Sequence, residues 1–80
     1  MKIYISGLPE QADPDRLREK MSHFGPVEAV HVLREYMGND PVWVVVMNVD
    51  PGTASEIAQR IDNIWFQGKF IHARVPLYQD

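Results

Sequence analysis

The chain is 80 residues long, with a formal charge of −3 and a sequence pI of about 5.5. A chain of this length is one domain, residues 1–80, and it buries only about 60–65% of the surface its unfolded form exposes. Having no cysteine, it can build neither a disulfide nor a cysteine-based zinc site, and its acidic balance weighs against nucleic-acid binding by charge alone, which rests on Lys and Arg neutralising phosphates.

The first residues run straight into a strand-like segment, so no signal peptide is expected. The longest apolar run falls far short of the ~20 residues a membrane span needs. The expectation is a soluble intracellular protein, cytoplasmic with the nucleus left open, and no membrane partner. His23, His31 and His72 are scattered without metal-ligand spacing, so no metal is expected.

In chain order, residues 2–6 (KIYIS) predict a strand with Ile3 and Ile5 on one face and Tyr4 and Ser6 on the other. Gly7 and Pro9 break it. Asp13-Pro14 opens a helix, Asp13 as cap and Pro14 in the first helical position. Leu17, Met21 and Phe24 give it an apolar stripe, Arg16, Arg18, Glu19 and Lys20 a wet side, and Gly25-Pro26 an end. Residues 27–35 predict a second strand, with Val30 and Val32 on one face and His31 and Leu33 on the other. Residues 37–41 read as a loop. The stretch 41–48 (PVWVVVMN) reads as the third strand, although it does not alternate, and Asp50-Pro51-Gly52 ends it. Thr53-x-x-Glu56 reads as a capping box before a helix whose stripe is Ala54, Ile57, Ala58 and Ile61. Asn63 closes that helix. Trp65 and Phe66 lead through Gly68 into a fourth strand, residues 69–75, with Ile71, Ala73 and Val75 facing one way and Phe70, His72 and Arg74 the other.

The order βαββαβ predicts an α+β, ferredoxin-like sandwich: a four-stranded antiparallel sheet with two helices on one face. Each helix has a single stripe, so the second sheet face is left for solvent or a partner. The third strand offers two sets, Trp43, Val45, Met47 and Val49, or Val42, Val44, Val46 and Asn48. Burial favours the first set inward, since a fully buried large apolar side chain contributes roughly 1.5–3 kcal/mol. An interior Trp43 then needs an indole N–H partner, which the edge of the core is expected to supply.

This pattern resembles the RNA-recognition motif family over nearly the whole chain. Ile3-Tyr4-Ile5-Ser6-Gly7-Leu8 fits that family's first-strand hexapeptide at every position. Phe24-Gly25-Pro26-Val27 is similar to its turn out of the first helix, Ala54, Ala58 and Ile61 match its second helix, and Gly68-Lys69-x-Ile71 is similar to its closing segment. The departure is the third-strand octapeptide, K/R-G-F/Y-G/A-F-V-x-F/Y, whose aromatics stack bases. With Met47 in the last place, the chain has Asp40 for the basic residue and Val42 and Val44 for the stacking rings. A shift of one residue would instead put Trp43 at a stacking position and flip every side chain.

The resemblance implies weak binding of single-stranded RNA on the open sheet face. Tyr4 would stack one base, with Phe70 or His72 as a second platform. Lys2, Arg34, Lys69 and Arg74 would meet phosphates, and Ser6, His31, Val42 and Val44 complete the surface, with Leu33 and Val46 beside them. Most acids, Asp62 among them, map to helices, so the sheet can be mildly basic. The other reading is a protein-docking or homodimerisation module on the same face, favoured by the valines, Asp40 and the low pI, or a face covered by Pro76-Leu77-Tyr78. No catalytic grouping, phosphate-cradling loop or cofactor motif is present, so neither enzymatic activity nor a cofactor is expected.

Overall fold

Alternation decides the first strand. Ile3 and Ile5 are fully buried while Tyr4 and Ser6 remain half-buried, so β1 (Lys2–Ser6) has one core face and one outer face. The computed structural model describes residues 1–9, 12–33, 41–66 and 68–76. The loop expected at 37–41 therefore lies outside the described residues except for Pro41, and so do Arg34, Asp40, Leu77 and Tyr78.

Helix α1 (Pro14–Ser22) starts as its residues dictate. Asp13 is extended at the N-cap, its carboxylate accepts the Asp15 N–H at 2.9 Å, and Pro14 fills the first turn. Leu17 and Met21 are buried. Phe24, expected to continue that stripe, lies beyond the end of the helix and is 37% exposed. The helix stops at Ser22, before Gly25-Pro26, because the His23 and Phe24 N–H groups already close its last turn on Lys20 and Met21 carbonyls.

Strands β2 (Val27–Leu33) and β3 (Val42–Met47) pair antiparallel, with an irregularity between Val27 and Ala29. Helix α2 (Pro51–Ile61) begins earlier than the capping box implied. Its cap is Asp50, whose carboxylate takes the Thr53 N–H and the Thr53 hydroxyl, and Pro51 occupies the first helical position. Thr53 is thus the donor to a cap and not the cap itself. Ala54, Ile57, Ala58 and Ile61 are buried as their spacing predicts.

A further strand follows that the sequence pattern does not separate: β4 (Ile64–Phe66). Asn63 adopts φ 61 and its N–H reaches the Ile71 carbonyl at 2.7 Å, turning the chain back along β5 (Lys69–Arg74). The pairs are Ile64 with Ile71, Trp65 with Phe70 and Phe66 with Lys69, across a tight turn that uses Gly68 at φ 89. Among the described residues the sheet therefore has five antiparallel strands in the order β2-β3-β1-β5-β4, where four were expected.

Ile3, Ile5, Trp43, Val45, Met47 and Ile71 project from one sheet face into a single cluster with Leu17 and Met21 of α1 and Ala54, Ile57 and Ile61 of α2. Both helices thus cover the same face. Of the two possible β3 sets, the one containing Trp43 is inward, with Trp43 5% exposed. No helix among the described residues is long and apolar enough to cross a membrane.

Candidate nucleic-acid interface

The register lines up the outer face in rows. His31 lies opposite Val44, Val44 opposite Tyr4, and Tyr4 opposite Arg74, so these four residues cross β2, β3, β1 and β5 in one line. The Arg74 guanidinium is 5.5 Å from the centre of the Tyr4 ring, within cation–π range. Neighbouring rows place Lys2 opposite Val46, Leu33 opposite Val42 and Ser6 opposite His72. Phe70, two positions before His72 on β5, shares its face and is 56% exposed. Of the residues selected from sequence, Tyr4, Ser6, Lys2, His31, Val42, Val44, Phe70, His72 and Arg74 are on this one face. Arg34 lies outside the described residues.

Four expectations need correction. Val44 is on the outer face but only 3% exposed, flanked on both sides by the larger His31 and Tyr4, so it offers a floor and not a contact surface. Lys69 has the strand parity of Ile71 and pairs with Phe66, which puts it on the helix side of the hairpin, away from this face. Asp62 does not stay clear of the face: its carboxylate accepts the Ala73 N–H at 3.0 Å and lies 3.5 Å from His72 Nδ1. An acid is drawn there because β5 outruns β4, leaving the Ala73 N–H without a strand partner on that edge. Finally, the Trp43 indole N–H has no acceptor among the described residues, although its ring is buried.

Trp65 has no role assigned to it by the sequence pattern. It is 63% exposed and meets Phe70 edge to face, with ring centres 5.0 Å apart and planes at 78°. A signal for it does exist: two aromatics separated from the next strand by an x-Gly pair are a hairpin pattern. Gly7 sets how closely β1 approaches this corner. It has φ 86, and a Cβ there would lie 2.8 Å from the Phe70 carbonyl oxygen. Among the described residues no group of three or more His, Asp or Glu side chains could hold a metal ion.

A one-sided antiparallel sheet with rings and cations in rows on its outer face defines a binding module. Residues 3–72 match the sequence model of the RNA recognition motif, and the chain belongs to that family of RNA-binding domains. Among solved structures it is similar to RNA Binding Protein PG1, at 20% identity over 100% of this chain and 98% of that one, with a TM-score of 0.79. It is similar to the Rna15 RRM with bound RNA (GU), at 12% identity over 99% and 85% of the two chains and a TM-score of 0.77. A third likeness is to Sex-lethal RNA recognition domains 1 and 2 from Drosophila melanogaster, at 14% identity over 90% of this chain and 46% of that one, with a TM-score of 0.73. Identities this low speak to the fold. No curated protein sequence matches the chain significantly.

Proposed function

We propose that this domain binds single-stranded RNA, weakly, across the outer face of its sheet. The observation that supports it most is the row His31–Val44–Tyr4–Arg74: a ring with a guanidinium beside it at the centre of a face that no helix of the described residues covers. A base stacks on the Tyr4 ring, and Arg74 and Lys2 meet the phosphates on either side. The similarity to an RNA-bound Rna15 domain is consistent with this assignment. Binding is weak because Val42 and Val44 occupy the family's ring positions on β3, and an aliphatic side chain has no π-face for a base. An intracellular location belongs to the same proposal.

Tyr4→Ala tests it directly. Its affinity for a pool of short random-sequence single strands falls by roughly 1–3 kcal/mol in a fluorescence-anisotropy titration, with a much smaller change in folding stability. Equal affinity of the variant and the parent would remove Tyr4 from the site. Concentration-dependent self-association in place of RNA binding would favour docking to a protein partner or a second copy, with the exposed Leu33 at the contact.

A further inference from the structure

The two most exposed large apolar side chains of the described residues, Trp65 and Phe70, touch each other at the β4–β5 hairpin. Neither contributes to the core cluster. A small domain that leaves two large rings together in water usually marks an interaction site. Their edge-to-face contact leaves ring surface for further stacking.

What they are beside identifies the partner. β4 is the edge strand of the sheet, so Trp65 borders both faces. On one side it meets Phe70, which continues along β5 through His72 to Arg74 and the Tyr4 row. On the other it walls a hollow of about 530 Å³ shared with Phe66 and with Arg16, Glu19, Lys20 and His23 of the α1 region. Two fixed cations face one carboxylate there, and the Lys20 ammonium sits 5.2 Å from the centre of the Phe66 ring. Rings interleaved with cations are what a nucleotide needs, a π-face for the base and positive charge for the phosphate. A purely apolar protein segment would leave the cations without purpose.

We propose that the β4–β5 hairpin is a second nucleotide site, in which Trp65 and Phe70 stack a base and Arg16 and Lys20 hold the adjoining phosphate. The site rests on the reading of the outer sheet face as an RNA surface and extends it. The rings missing from β3 are replaced by a pair at the opposite edge, roughly 13 Å along β5 from the Arg74 position. A bound strand runs from the Tyr4 row over Phe70 and leaves the domain around Trp65 toward α1.

The test is a titration of the whole chain with labelled random-sequence single strands of about ten nucleotides. Trp65→Ala weakens binding about 5- to 150-fold, the value of one base stack, whereas Trp65→Phe stays near the parent. The double substitution Arg16→Gln and Lys20→Gln lowers the slope of log affinity against log salt by about 0.7 for each phosphate no longer neutralised. Thermal unfolding of each variant checks that the exposed positions leave the fold intact. If Trp65→Ala and the double variant bind within about twofold of the parent while Tyr4→Ala loses affinity, the hairpin site is wrong and the sheet site stands. If the parent binds no single strand at all, both are wrong. If Trp65→Ala abolishes self-association and leaves RNA binding unchanged, the ring pair is a protein contact and the proposal is overturned.

Discussion

Trp43 combines a buried ring with an indole N–H that has no acceptor among the described residues. A buried donor left without a partner costs about 1–3 kcal/mol, and the ring's burial must exceed that cost. Trp43→Phe exchanges the unsatisfied donor for a small cavity, two effects of similar size and opposite sign. We expect it to change folding free energy by less than about 1.5 kcal/mol, against about 3–5 kcal/mol for Trp43→Ala, both by urea denaturation. Equal losses in the two variants would mean that the N–H is bonded in solution. Gly7 is the opposite kind of position, demanding one residue type. At φ 86, with the Phe70 carbonyl oxygen 2.8 Å from where a Cβ would sit, Gly7→Ala destabilises by about 1–3 kcal/mol. It also displaces the Phe70 backbone and so disturbs the outer face. An unchanged denaturation midpoint would refute the close approach of β1 to β5 at that point.

Both helices begin with the same dipeptide, Asp13-Pro14 and Asp50-Pro51, and in both the aspartate is the cap. The side-chain hydrogen bond from the Thr53 hydroxyl, followed by the Thr53 backbone N–H, holds the Asp50 carboxyl below its ordinary value. A carboxylate whose pKa falls on folding stabilises the native state above its unfolded pKa. That contribution is lost as pH drops through the lower, folded value. A carboxyl NMR titration should find Asp50 below the usual aspartate range, and Thr53→Val should return it toward that range; no response to Thr53→Val would contradict the assignment. This cap shows how far the elements are legible in the sequence. Asp13-Pro14 reads correctly because nothing nearby competes with it. Asp50-Pro51 is masked because Thr53-x-x-Glu56 matches another N-terminal pattern three residues on. The stripe Ala54, Ile57, Ala58, Ile61 survives that error, since its 3.6-residue period does not depend on where the helix starts. β4 is invisible for a different reason. It is three residues long with no buried member, and only its ladder to β5 makes it a strand. Trp65 is missed with it, because a ring's face cannot be assigned before its strand is known.

For the molecule as a whole, the inward position of Trp43 resolves the choice left open by a strand that does not alternate. Val42 and Val44 then face outward, and the family's rings are absent from β3. Rings remain at Tyr4 on the central strand β1 and at Phe70 and Trp65 toward the far edge. The formal charge of −3 is distributed accordingly, with Lys2 and Arg74 on the outer face and Asp62 only at its margin. On the proposed reading, so few cations and stacking rings give a low affinity with a shallow dependence on salt. Under the proposed function, RNA binds the sheet face opposite the helices. Amide chemical-shift mapping of the labelled domain during titration with a random pool of single-stranded RNA measures that most directly. RNA bound on this face concentrates the shifts on β1, β3 and β5 around Tyr4, Val44, His72 and Arg74. Shifts confined to the outer surfaces of α1 and α2, or no shifts at saturating RNA, would contradict it.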